Sequence, residues 1–219
     1  PVEPGGRPRK SYDATAHYVG NMYGIHHGHI FIGSKRQHEQ ARREMLHARK
    51  LDDMSLTAVW EMTLNSPHDN ASFSPILALP CSQMVRCMAG VWIKHQEREP
   101  SVEHALVYER DNPAPLLMVP GRAKTLSPDG RHAVISTSRG IKVHHVDSGA
   151  QVIEIATEKD LYVPAAFSTD GARMAVYNPR PPLLSVWNLD KDYKETVCYF
   201  PQEKDADRVW PYSLSFSQD

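Results

Sequence analysis

Twelve of the 219 residues are histidines, and the tightest group is His26-His27-Gly28-His29. Imidazole nitrogens are common ligands for zinc and copper, so a metal is the first chemistry to weigh. On a strand, His27 and His29 would share one face and His26 would point away. A structural zinc needs about four ligands, and no cysteine or second histidine pair stands nearby at metal-binding spacing. The segment reads as a polar loop and strand end, and no metal is expected. Cys81 and Cys87 lie six residues apart, which fits neither a redox pair nor a zinc knuckle. Both, together with Cys198, are expected to be buried small hydrophobes in a reducing compartment.

Catalytic signatures are missing. There is no Gly-x-Ser-x-Gly elbow, no phosphate-binding Walker loop and no His-Glu-x-x-His, so no catalytic residue and no cofactor is expected. Asn70-Ala71-Ser72 has the form of a glycosylation acceptor. Without a secretory signal in Pro1 to Lys10 it reads as chance. Lys plus Arg total 25 against 26 Asp plus Glu, a formal net charge of -1. That balance excludes a bulk basic footprint, and the aromatics (8%) do not interleave with a basic run. Nucleic acid is therefore not an expected partner. Hydrophobic residues make up 41%, yet no stretch of about 18 apolar residues occurs, so no membrane insertion is expected.

The elements that position these residues emerge from internal repetition. Val59-Trp60-Glu61-Met62-Thr63, Val107-Tyr108-Glu109-Arg110-Asp111, Val143-His144-His145-Val146-Asp147 and Val186-Trp187-Asn188-Leu189-Asp190 align without gaps. Their second positions are 48, 36 and 43 residues apart. A second marker, Leu126-Ser127-Pro128-Asp129-Gly130, recurs 41 residues later as Phe167-Ser168-Thr169-Asp170-Gly171. It recurs again 49 residues on as Phe216-Ser217-Gln218-Asp219, and Phe73-Ser74-Pro75 reads as a degenerate member. Asp-Gly between apolar runs is a hairpin signal, because Gly takes φ > 0 at little steric cost. Strands are expected at 132–136, 141–144 and 151–155, and again at 173–177, 184–187 and 195–200. That is about four strands in roughly 40 residues. A single such sheet cannot bury both faces, so stacking on its neighbours is the physical reason for the repetition.

Ile141-Lys142-Val143-His144-His145-Val146-Asp147-Ser148-Gly149 and Leu184-Ser185-Val186-Trp187-Asn188-Leu189-Asp190 resemble the Ile-x-Val-Trp-Asp segment of WD-repeat β-propellers. The resemblance is fullest over 126–219. It departs where His144-His145 and Trp187-Asn188 replace the Trp-Asp pair, so the family's buried hydrogen-bond network is not carried over. The resemblance implies an all-β chain: a β-propeller of about four blades, each a four-stranded antiparallel sheet, in an incomplete ring. Residues 1–10 read as a flexible lead-in and 11–219 as the partial propeller. Approximate blades are 11–70, 71–120, 121–160 and 161–210, with the start of another at 211–219. Because Phe216-Ser217-Gln218-Asp219 reopens the marker, the chain is expected to be a piece of a longer protein.

Lys35 to Asp53 contains no Gly or Pro and is rich in helix formers, so a helical insertion is expected near 36–52. Ala41, Met45, Ala48 and Leu51 give it only a thin apolar stripe. It is either a partner-binding arm through Arg36, Arg42, Arg43, Arg49 and Lys50, or a solvated face balanced by Glu39, Glu44, Asp52 and Asp53. The second reading is preferred.

Trp60, Tyr108 and Trp187 sit at a repeated strand position and are expected in the core. His144-His145 at the same position reads as one packed, hydrogen-bonded ring and one outward ring. Arg208, Trp210 and Tyr212 fall in a connection between blades, and Arg and aromatic residues in such loops are hot-spot types. They are the candidate partner-binding residues, the alternative being that Trp210 fills the gap between blades. The resemblance implies a non-catalytic scaffold whose partners are other proteins or peptides. The alternative is an accessory propeller of a larger enzyme, a prolyl-peptidase-like hydrolase or an NTPase, with catalytic residues outside this chain. Scattered cysteines and the absent signal point to a cytoplasmic or nuclear setting.

Overall fold

A computed structural model describes residues 20–26, 29–38, 41–50, 52–63, 72–80, 85–93, 102–157, 163–179, 182–190, 193, 195–199 and 214–216. The first sheet comprises β1 (Gly20–His26), β2 (His29–His38), β3 (Ala41–Lys50) and β4 (Leu56–Thr63). The second holds β5 (Ser72–Pro80), β6 (Arg86–Ile93), β7 (Val102–Glu109) and β8 (Asn112–Pro120). The third holds β9 (Arg122–Leu126), β10 (His132–Thr137), β11 (Gly140–His145) and β12 (Gln151–Ala156). The fourth holds β13 (Ala165–Phe167), β14 (Arg173–Pro179), β15 (Pro182–Asn188) and β16 (Glu195–Tyr199). Each sheet is a meander of four antiparallel strands in chain order, and among the described residues no strand pairs between sheets. The sheets pack face to face in sequence, β4 on β8, β6 and β7 on β9, and β9 on β13. This is the all-β propeller arrangement, with the first and fourth sheets sharing no strand pairing.

Side-chain alternation explains why each sheet needs two neighbours. Ala133 and Ile135 on β10 enter a core with Met88, Ala105, Val107 and Leu117 of the second sheet. Val134, between them in sequence, enters a separate core with Met174, Val176 and Leu189 of the fourth sheet. All of these except Leu117 and Leu189 are at most 1% exposed, so truncating one of the larger ones would cost about 2–5 kcal/mol.

The Ser-x-Asp-Gly marker is a self-contained turn, built twice. Ser127 Oγ donates to Asp129 Oδ1 at 2.5 Å and accepts from His132 N at 2.9 Å. Ser168 Oγ donates to Asp170 Oδ1 at 2.5 Å and accepts from Arg173 N at 2.9 Å. Gly130 and Gly171 stand at φ 75° and 76°, the left-handed conformation that the turn requires.

The Val-x-x-x segments are equivalent in three sheets. Arg110 N, Val146 N and Leu189 N each donate at 2.8 Å, to Val85 O, Arg131 O and Ala172 O respectively. Tyr108, His144 and Trp187 accordingly pair with Cys87, Ala133 and Met174 on the second strand of their sheets. The fourth segment is out of phase: Val59-Trp60 lies on β4, a fourth strand, with Trp60 paired to Leu46 on β3. A five-residue match cannot separate a third strand from a fourth, because both alternate in the same way. Phe73-Ser74-Pro75 is likewise no marker, since it lies within β5. Pro80, paired with Cys87 as Leu126 is paired with Ala133, occupies the marker's first position.

The helical insertion expected near 36–52 is not formed. The segment is the end of β2 and all of β3, a ten-pair antiparallel ladder from His29↔Lys50 to His38↔Ala41. Helix propensity is a small preference, and pairing on both flanks of β3 outweighs it. The apolar signal was thin for the same reason. Leu46 is fully buried and His47 half-buried, a step of the two-residue period, where a helix needs a broad stripe. Gly33-Ser34 is mid-strand in β2 and makes no turn.

Candidate interaction surface

The meander gives every sheet the same two ends. At one end lie the turns between first and second strands and between third and fourth strands. At the other lie the hairpins between second and third strands and the connections from sheet to sheet.

The first end is rich in carboxylates, and its own turns consume them. Asp53 is held below the usual carboxylate range first by the Ser55 side chain and then by the Ser55 N–H. Asp170 is lowered chiefly by the Ser168 hydroxyl, then by the Ala172 N–H. Both stay ionised and neither is suited to donate a proton. Asp147 is also lowered, first by its hydrogen bond with Arg86. Arg86 crosses from β6 to the third sheet, donating to Gly130 O at 3.1 Å and to Asp147 Oδ1 at 2.5 Å. Its Nε lies 3.6 Å from Glu109 of its own sheet. Burial works against this guanidinium's charge, but Asp147 and Glu109 together raise its pKa.

His26 and His29 close the β1–β2 hairpin at this end as register partners. His27 and Gly28 lie outside the described residues. Among the described residues no three His, Cys, Asp or Glu side chains gather as a metal site. His144 is packed as expected, buried with Nδ1 3.1 Å from Gly149 O. His145 is half-buried and meets Ser148 Oγ at 3.3 Å. Trp60 and Tyr108 are fully buried and Trp187 half-buried; Trp60 Nε1 donates to Val85 O at 3.4 Å, and Trp187 packs against the core shared by the third and fourth sheets. Cys87 is buried, as expected, but Cys198 is exposed. Cys198 lies on β16, the outermost strand of its sheet, opposite Leu184. Nothing among the described residues covers it from beyond that strand. Cys81 lies outside the described residues.

The second end carries a different chemistry. Seven of the eight residues of β6 are buried or half-buried, and Trp92 is the exception at 40% exposure. Its cross-strand partner is Glu103 on β7, and Val102 beside Glu103 is also exposed. Burial raises the Glu103 pKa while the charge of Arg122 opposes that shift. Gly121 N donates to Glu103 O at 2.7 Å, which fixes the start of β9 against β7. Arg122 is exposed, and Lys124 is half-buried with its pKa lowered to about 8, first by burial and then by Arg122. Trp92 thus stands opposite Glu103, and the charge of Arg122 reaches both Glu103 and Lys124. There is no nucleophile–base pair among them. An exposed indole beside these charges suits recognition by stacking and charge.

The candidates Arg208, Trp210 and Tyr212 lie outside the described residues. Trp92 was missed by reasoning from the repeats. Its only sequence signal is its place at the end of an apolar run, just before the polar stretch Lys94 to Glu99.

No family model matches this chain, and no curated protein sequence matches it either. Solved structures similar to it include the C-terminal WD40 domain of Sif2, at 15% identity and a TM-score of 0.46, covering 82% of this chain and 48% of that one. The WD40 domain of Toxoplasma gondii coronin is similar at 10% identity and a TM-score of 0.33, covering 77% and 57%. The β-propeller domain of Cps50 (Swd1) from Myceliophteria thermophila is similar at 10% identity and 0.34, covering 78% and 61%. The chain spans about half to three fifths of the length of these structures.

Proposed function

We propose that this chain is a non-catalytic protein–protein interaction scaffold that engages proteins or peptides through the end of its sheets bearing Trp92 and Arg122. The observation that carries this reading is the large exposed indole on a strand that is otherwise buried. A rigid anchor loses little entropy on binding, which is why aromatic and Arg residues dominate interface energetics. Strand β16 runs toward the same end, since its last residue Tyr199 pairs with Leu183 at the start of β15. Arg208, Trp210 and Tyr212 follow β16 in the sequence. We place them in the same contact surface. No proton transfer or bond breaking is asked of the chain.

The test substitutes a photo-crosslinking amino acid at Trp92 and, in a second variant, at Asp53 on the opposite end. The partner that crosslinks at position 92 is then titrated against the Trp92→Ala and Arg122→Ala variants. Loss of a hot-spot side chain costs at least about 2 kcal/mol, or close to thirtyfold in Kd. Affinity unchanged in both variants, or specific crosslinking at position 53 alone, would overturn the assignment of this end.

A further inference from the structure

We infer that the seam between the third and fourth sheets is an acid-sensitive joint, with His132 standing where the neighbouring seam has a permanent arginine staple. The correspondence is set by register. Arg86 pairs with Glu109, His132 with His145 and Arg173 with Asn188, in the same place in three sheets. Arg86 reaches forward to Gly130 O and Asp147 of the next sheet. The residues at the positions of Gly130 and Asp147 in the fourth sheet are Gly171 and Asp190. His132 has no such reach: it is 4% exposed, and among the described residues neither Nδ1 nor Nε2 has a hydrogen-bond partner. The ring instead packs edge-on against His145 at 5.5 Å and Tyr193 at 6.2 Å. Tyr193 stands at φ 48°, a conformation seldom taken by a bulky residue.

Charges and rings reach His132 from three directions. The turn before β10 brings Asp129 and Arg131, β11 brings His145, and the loop after β15 brings Asp190 and Tyr193. Burial lowers the His132 pKa most, Asp129 and Asp190 pull it up, and His145 and Arg131 push it down, for a net lowering. A histidine whose folded pKa lies below its ordinary 6.5 stabilises the closed seam fully above 6.5. That stabilisation is lost as pH falls from 6.5 toward the lower folded value, because the opened state binds the proton first. One proton per opening event raises the opening equilibrium by up to about tenfold per pH unit within that window. At the corresponding place in the seam between the second and third sheets, Arg86 stays charged across that window.

The experiment is amide hydrogen exchange by mass spectrometry on the full chain at pH 7.5 and 5.5, corrected for intrinsic exchange rates. Exchange in 173–199 is expected to rise several-fold at pH 5.5, with 86–120 unchanged. His132→Phe keeps a ring of similar bulk and is expected to abolish the rise, whereas His145→Asn retains it. Exchange at the imidazole C2 position of His132 in the unaltered chain supplies a variant-free check, with an expected midpoint below 6.5. A midpoint at or above 6.5, or a rise at 173–199 that survives His132→Phe, overturns the proposal. If His132→Phe does not fold, His132→Gln replaces it, with the same expected outcome.

Discussion

Replacing Arg86 by Met removes the staple between the second and third sheets while keeping most of its buried stem. The Arg86 side chain is 15% exposed and makes contacts of 3.1 Å to Gly130 O, 2.5 Å to Asp147 and 3.6 Å to Glu109. A hydrogen bond to a charged group contributes about 1.5–3 kcal/mol when its loss strands a buried partner. Here the Asp147 and Glu109 side chains are 52% and 39% exposed, so both recover water once the guanidinium is gone. Discounting the ion pairs for that exposure leaves about 2 kcal/mol for Arg86→Met. Arg86→Lys keeps the charge but loses the planar fork, and about 1 kcal/mol is expected. Urea unfolding reads this directly: at about 1–3 kcal/mol per molar, the midpoint for Arg86→Met falls by roughly 1 M. A double-mutant cycle with Asp147→Asn should return a coupling of about 1 kcal/mol. The pH dependence has a definite sign. Asp147 titrates below its ordinary 3.8, so its contribution is complete above that value and is lost as pH falls through the lower folded one. An unfolding free energy within about 0.5 kcal/mol of the unaltered chain for Arg86→Met, or full additivity with Asp147→Asn, would refute the staple.

Two further outcomes follow from local geometry. A Cβ at Gly140 would lie 2.0 Å from Ile155 O with φ at 135°, whereas at Gly149 the nearest atom is 3.8 Å away with φ at 68°. Gly140→Ala should therefore cost about 3 kcal/mol or more and disrupt the β11–β12 pairing, while Gly149→Ala costs about 1 kcal/mol, both measured by urea unfolding. Alkylation mapped by mass spectrometry should modify Cys198 within minutes in the folded chain, and Cys87 only under unfolding conditions, since one thiol is exposed and the other buried. Equal protection of both would contradict the open position of β16.

What the amino-acid order determined alone is the local grammar of the sheets. The Ser-x-Asp-Gly turns close through side chains two to five residues apart, so their geometry is written within each marker. Strands β10 to β12 and β14 to β16 follow from those turns and from two-residue alternation. The cores were legible as patterns, because an apolar residue on either face needs a neighbouring sheet. Longer-range matters were decided by tertiary structure. Residues 41–50 carry helix-forming types, and only pairing with β2 and β4 makes them strand. Trp60 matches the repeat in sequence but lies one strand late, since the match is blind to which neighbour it faces. Arg86 and His132 look unremarkable in sequence. Their equivalence exists only through register, and their difference acts only across a seam, where a charge and a neutral ring meet residues about 40–60 positions away in the chain. Trp92 is one more apolar residue in a run until folding buries its neighbours and leaves it facing solvent.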